Sequence, residues 1–204
     1  MPKEWIKSQK KDKYYRESKK AGFRSRAAFK LIQINKKFRI LKQGYKVLDL
    51  CSAPGSWIQV VQASIENPEI VAVDIVRMKD LPDVTFIQGD ITQEELLEKL
   101  KKLGIKFDVV LSDCAPKTTG IRSLDQARQA ELVTSVIKIA ATVLKPKGNL
   151  VAKIFEGSEI KEIKQELKKY FSKIYFYKPE ASRKHSMETY VVAKGFKEVN
   201  MKTD

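Results

Sequence analysis

Acidic side chains recur at the same end of successive apolar runs. Asp49 closes the run 46–50, Asp74 follows 70–73, Asp90 follows 84–87 and Asp113 follows 107–111, while Lys153 stands inside a fifth run, 150–155. One such acid alone would be an ordinary turn or capping residue. Four at consecutive run ends, with a lysine beside them, describe one polar cleft that can accept from hydroxyls and amines and can orient or move a proton. The cleft's first wall is the stretch Asp49-Leu50-Cys51-Ser52-Ala53-Pro54-Gly55-Ser56-Trp57. It links an apolar strand to a helix start through small residues. Such a turn is expected to leave backbone N–H groups free to face a ligand, with Gly55 allowing close approach. The dinucleotide pattern G-x-G-x-x-G is absent.

The elements that position these residues alternate along the chain. A helix is expected over residues 25–40, with Ala28, Leu31 and Ile32 on one face. Strand 46–50, helix 55–65, strand 70–73 and strand 84–87 follow. A helix starts near Thr92, with Glu94 and Glu95 in its first turn, where acids complement the helix dipole. Strand 107–111 leads to a long helix, 123–144, stopped by Pro146 and Gly148. Strand 150–155, helix 158–170 and strands 173–177 and 189–193 complete the pattern. Strands alternating with helices predict a mainly parallel sheet covered on both faces, with its ligand beyond the carboxyl ends of the strands.

Asp74 stands 19 positions after Gly55, the place for an acid that accepts from ribose hydroxyls. Asp90 is then placed for an adenine amino group. No G-x-x-x-x-G-K-[ST] loop occurs, which disfavours a triphosphate. A cofactor carrying adenosine without phosphates fits better, and S-adenosylmethionine is the candidate.

Charge is unevenly placed. Residues 1–46 hold 16 Lys and Arg against 3 Asp and Glu, a net +13 out of +15 for all 204 residues. Trp5, Tyr14, Tyr15, Phe23, Phe29 and Phe38 interleave with those cations. A nearly neutral body with so basic an N-terminal segment suits a polyanion, RNA above all, although most charge runs are simply solvated helix faces. The chain has no apolar run long enough for a membrane span and no secretory leader at its start. Its two cysteines, Cys51 and Cys114, cannot make a disulfide framework or a four-ligand zinc site, and each is expected to be a small half-buried side chain in a reducing, cytoplasmic setting. A single histidine leaves little room for His-based metal or triad chemistry.

Taken together, the segments Arg24-Ser25-Arg26-Ala27-Ala28-Phe29-Lys30, Leu48 through Trp57, Ala72-Val73-Asp74, Gln88-Gly89-Asp90, Ser112-Asp113-Cys114-Ala115-Pro116, Val151 through Phe155, Ser182-Arg183 and Glu188 through Ala193 are specific in order and spacing. Over nearly the whole chain they resemble the FtsJ/RrmJ family of S-adenosylmethionine-dependent RNA ribose 2′-O-methyltransferases. The resemblance implies a Rossmann-like class I methyltransferase, an α/β fold whose mainly parallel seven-stranded sheet has an antiparallel last strand. It implies catalytic residues Lys30, Asp113, Lys153 and Glu188, and cofactor contacts at Gly55, Trp57, Asp74, Asp90 and Asp113. It further implies RNA as partner, a uridine of large-subunit (23S) rRNA within the ribosomal particle, with the tRNA anticodon-loop branch as the alternative, and a monomer. No metal site is implied. Residues 1–46 then form a basic RNA-contacting segment and helix, 47–196 the methyltransferase domain and 197–204 a short tail. Ser56 stands where the commoner family turn has a second glycine.

In that chemistry a ribose 2′-hydroxyl loses its proton as it attacks the sulfonium methyl in line. Lys153 is the candidate general base, with Asp113 and Glu188 orienting it; the alternative is that Lys153 mainly positions the hydroxyl and the proton leaves late. Two other classes compete. A small-molecule methyltransferase would not need the +13 segment and would carry an apolar substrate lid. A non-catalytic RNA-binding module would not need the complete Lys-Asp-Lys-Glu set.

Overall fold

The alternation of strand and helix resolves into one sheet. The structure, a computed structural model, describes residues 12–183 and 185–198. Trp5, Lys10 and Lys11 of the basic segment, and residues 199–204 of the expected tail, lie outside the described residues. The elements are α1 (Lys13–Lys20), α2 (Ala28–Phe38), β1 (Lys46–Leu50), α3 (Ser56–Ser64), β2 (Glu69–Asp74), β3 (Val84–Gln88), α4 (Glu94–Lys102), β4 (Phe107–Ser112), α5 (Arg122–Val143), β5 (Leu144–Phe155), α6 (Ile160–Tyr170), β6 (Phe171–Tyr177) and β7 (Glu188–Phe196). The seven strands lie in the order β3-β2-β1-β4-β5-β7-β6, with β7 antiparallel to both its neighbours. The expected Rossmann-like sheet is therefore present. Its strand order reverses between β1 and β4, where ligands bind in such sheets.

Period-two alternation splits the strand residues between two cores. On one face Leu48, Leu50, Val110, Ala152, Ile154 and Val191 pack against α4, α5 and α6. On the other, Val47, Ile70, Ala72, Val109, Leu111, Val151, Tyr190 and Val192 pack against α2 and α3. The second face holds the site. Continuing each of its rows by two residues gives Asp49, Asp74, Asp113 and Lys153, and on antiparallel β7 gives Glu188. Apolar rows thus turn polar together at one end of the sheet. Ala28, Leu31 and Ile34 of α2 are fully buried in this core, so the helix at the end of the basic segment is anchored in the body.

Three features depart from expectation. The basic segment contains a helix of its own, α1, capped by Asp12, whose side chain accepts from Tyr15 N at 3.2 Å. The long helix ends at Val143, and β5 starts at Leu144, before Pro146. Pairing with β4 jumps from Phe107↔Leu144 to Val109↔Asn149, so residues 145–148 bulge out and Pro146 donates to no ladder. Finally, Cys51 and Cys114 are joined in a disulfide across the switch point, with Cα atoms 5.2 Å apart. They are one covalent bridge rather than two bland half-buried side chains. A closed loop with sequence separation 63 removes chain entropy worth about 4 kcal/mol from the unfolded state.

Candidate active site

The turn after β1 is pinned by its own backbone. Ser52 N donates to Val73 O at 3.0 Å, Gly55 N to Ser52 O at 2.6 Å, and Ala53 N to the Asp74 carboxylate at 2.9 Å. These N–H groups bond within the protein instead of facing a ligand. Gly55 is required for a different reason than close approach of a cofactor. Its φ is +98°, and an added Cβ would lie 2.8 Å from Leu81 Cδ1 and 2.9 Å from an Arg24 guanidinium nitrogen. Arg24 donates to Pro54 O, Lys79 O and Asp80 O, and so ties the basic segment to this turn. Ser56 makes a 2.8 Å hydrogen bond with Ser25 across the same seam.

Two cavities meet at this turn and share Cys51. The larger, about 330 Å³, is lined by Asp74, Asp90, Ile75, Ile91 and the loop after Asp113. Asp74 also accepts from Val76 N at 2.8 Å, and Asp90 accepts from the backbone and hydroxyl of Thr92. Each carboxylate is thereby held in one orientation and keeps acceptor capacity. Ile75 beside them is 60% exposed, an apolar surface at the cavity rim. The smaller cavity, about 120 Å³, is lined by Asp49, Ser52, Trp57 and Asp113 among others. Trp57 contributes ring surface only, since its indole N–H donates to Ala27 O at 2.9 Å. Asp49 is buried with Oδ2 unpartnered. Burial, then the nearby Asp113 and Asp74 carboxylates, push its carboxyl well above the usual range.

These residues fit S-adenosylmethionine. Asp74 and Asp90 can accept from an adenosine, and the unpartnered Asp49 oxygen beside the small cavity can accept from an ammonium group. Of the five expected cofactor contacts, Trp57, Asp74, Asp90 and Asp113 line the two cavities, and Gly55 shapes the turn between them.

The second group converges at the other side of the small cavity. Lys153 Nζ lies 2.8 Å from Asp113 Oδ1 and donates to Asp113 O at 2.9 Å. Lys30 Nζ lies 2.6 Å from Glu188 Oε1 and 4.0 Å from Asp113 Oδ1. All four expected catalytic residues are therefore brought together. Burial alone would raise the Asp113 carboxyl, but Lys153, Lys30 and two side-chain hydrogen bonds outweigh it and hold it below the usual carboxylate range. One of those hydrogen bonds comes from a residue that sequence reasoning gave no role. Tyr190 OH donates to Asp113 Oδ1 at 2.5 Å, and its ring lies 5.7 Å from Lys30 Nζ. Burial and the Asp113 and Glu188 charges push its phenol well above 10, so it stays a donor. Its signal was in the spacing: Glu188 and Tyr190 are two apart on one strand and share a face. Tyr190 also pairs directly with Lys153 in the β5–β7 register. Ser182 Oγ steadies Glu188 at 3.0 Å, and Gln129 Nε2 donates to both Cys114 O and Lys153 O.

Comparison with known proteins agrees with this geometry. Residues 23–196 match the family described as FtsJ-like methyltransferase. A protein of Archaeoglobus fulgidus named ribosomal RNA large subunit methyltransferase E is 46% identical over 190 residues, covering 93% of this chain and 98% of its own. One of the same name from Methanothermobacter thermautotrophicus is 45% identical over 201 residues, covering 97% and 95%. A crystal structure from Plasmodium falciparum, described as a ribosomal RNA methyltransferase, superposes with a TM-score of 0.78 at 32% identity, over 85% of this chain and 98% of that one. Fold, gathered residues and relatives agree: the chain belongs to the FtsJ-like methyltransferase family.

Proposed function

We propose that this protein transfers a methyl group from S-adenosylmethionine to the 2′-hydroxyl of a ribose in RNA, at a uridine of large-subunit rRNA. The observation that carries the reading is the convergence of Lys30, Asp113, Lys153 and Glu188 beside the cavities of the cofactor acids. The names of the relatives support rRNA as the acceptor. The cofactor, when bound, supplies a methyl group activated by a sulfonium.

The chain's own residues do the rest. Asp74 and Asp90 hold the adenosine, with Ile75 and Ile91 against its ring. Asp113 takes two of the Lys153 contacts and leaves the remaining hydrogen-bonding direction of Nζ for the ribose hydroxyl. Tyr190 keeps Asp113 Oδ1 from turning away. Lys30, braced by Glu188, adds positive charge on the other flank. In the proposed step Lys153 Nζ takes up the hydroxyl proton as the oxygen gains the methyl group, the sulfonium leaving as a neutral thioether. Much of the acceleration comes from holding the two reactants in line. The basic segment, including Lys13, Arg16, Lys19 and Lys20 of α1, supplies phosphate contacts beyond the site.

Tritium transfer from labelled cofactor to total RNA, with and without ribonuclease, followed by mapping of the modified nucleotide, tests the acceptor. Label in tRNA instead of the large subunit would overturn the rRNA assignment. For the chemical step, Lys153→Ala should lower single-turnover transfer on the order of 100-fold or more. Lys153→Arg should fail almost as badly, because a guanidinium stays protonated. An arginine variant that works at near wild-type rate would reduce Lys153 to a positioning charge.

A further inference from the structure

A third cavity, about 490 Å³, opens beside the Lys30–Glu188 pair and shares no residue with the cavity of Asp74 and Asp90. Its walls are the turn entering α2, with Ser25 and Arg26, and the loop between β6 and β7, with Arg183 and Ser186. Nothing in the cofactor reading uses it. Its volume is in the range of sites that hold a small organic group.

The charges around it are unbalanced. Glu188, its one carboxylate, is taken by Lys30 at 2.6 Å and by Ser182 Oγ at 3.0 Å. Arg26 is fixed in place by Asp12 and by the carbonyl of Ala181. Arg183 is exposed, and among the described residues no carboxylate pairs with it. Burial, and then the like charge of Arg183, lower the Arg26 guanidinium from its ordinary value against the opposing pull of Glu188, so the two cations lining the cavity repel. An anion between them would reverse that repulsion. Guanidinium pairs suit a phosphate, whose oxygens accept two N–H bonds at once.

We propose that this cavity takes the phosphodiester adjoining the target ribose, gripped by Arg183 with Arg26 behind it. The inference rests on reading the neighbouring site as one for ribose methyl transfer. The 3′-phosphate hangs on the carbon next to the one bearing the 2′-hydroxyl. A strand whose hydroxyl lies at Lys153 therefore carries a phosphate toward Lys30 and the cavity beyond it. Arg183 is in this sense a positioning residue: it sets where the strand lies and touches no reacting atom.

The test compares wild type, Arg183→Ala and Arg183→Lys, with purified large-subunit rRNA as acceptor and tritiated S-adenosylmethionine as donor. Methyl transfer is measured as kcat/KM for RNA across a range of salt, and cofactor affinity by calorimetry. Arg183→Ala should lower kcat/KM about tenfold at low salt, the scale of a lost charge-assisted contact. It should also flatten the log–log salt dependence by about 0.7–0.9 of a unit, one phosphate's worth. Arg183→Lys should restore the slope, and cofactor affinity should be the same in all three. A slope unchanged in Arg183→Ala, or lost equally in Arg183→Lys, would overturn the phosphate contact while leaving the methyltransferase reading intact. A wild-type protein that labels no RNA at all would overturn that reading and this inference with it.

Discussion

β1 and β4 lie side by side, and each carries an aspartate at its carboxyl end on the same face of the sheet. Asp49 is 1% exposed and has an oxygen without a partner; the Asp113 side chain is 19% exposed and is held by Lys153, Lys30 and Tyr190. Burial dominates at the first and pushes the carboxyl toward its neutral form. At the second, neighbouring cations overcome burial and keep the carboxylate. Depth in the protein therefore does not set the charge of an acid; the donors that reach it do. At one strand end a carboxyl oxygen has no partner among the described residues, while at the next two lysines and a phenol reach the carboxylate.

Removing the charge of Asp113 is the severest way to break the contrast. Asp113→Asn would leave Lys30 and Lys153 without their shared counter-charge, a change that costs about 3–5 kcal/mol when a buried pair is broken. The sign with pH follows from the depressed carboxyl of Asp113: its stabilisation is present above the ordinary carboxylate range and is lost as pH falls. The gap in thermal midpoint between wild type and variant should accordingly close on acidification. A gap that stays constant down to low pH would mean the carboxylate is not what holds the lysines.

A middling effect is expected at the cofactor end. Asp74→Ala should weaken S-adenosylmethionine binding by about 1.5–3 kcal/mol, since it deletes a charged acceptor, and calorimetry on the folded variant measures it. Unchanged affinity would remove Asp74 from the cofactor reading. It would leave the carboxylate with only its ties to Ala53 N and Val76 N.

The smallest effect has the opposite sign. Asp49→Asn substitutes a neutral group for one that resists ionising. Because the Asp49 carboxyl is raised, its favourable contribution is complete below the ordinary carboxylate range and fades as pH rises through its folded value. The asparagine protein, free of cofactor, should match wild type in acid and exceed it by a few degrees toward neutral pH. If Asp49 is a partner of the cofactor's cationic end, the variant's affinity for the cofactor should fall. A variant less stable than wild type near neutral pH, with the deficit closing in acid, would show that Asp49 is ionised and satisfied.

Most of the fold, and the polar residues at the strand ends, could be read from the chain because strand ends are local, whereas Lys30 and Glu188 came only from the family resemblance. Asp49, Asp74 and Asp113 stand at the ends of apolar runs and Lys153 within one, and alternation alone places them on one face. What escaped depends on contacts between distant segments. The role of Tyr190 follows from an antiparallel register that sets it opposite Lys153. The Cys51–Cys114 bridge needs β1 and β4 to be neighbours, which no local pattern states. The bulge at 145–148 arises because β5 must re-register on β4, whereas Pro146 by itself reads as a helix stop. At Gly55 the groups that crowd the backbone are Leu81 and Arg24, both from distant segments, the latter 31 residues earlier in the chain.

The bridge also divides the chain topologically. Residues 51–114 form a closed covalent ring, and Asp74, Asp90 and Asp113 all lie within it. Lys30, Lys153, Glu188, Tyr190 and both arginines of the third cavity lie on the two open arms. The ring thus carries the acids proposed to hold the adenosine and the aspartate that anchors Lys153, while the arms carry Asp49 and the cations proposed to meet RNA. A single proteolytic cut inside the ring would leave one molecule of undiminished mass until a reductant is added, and a single cut in either arm would release a fragment at once.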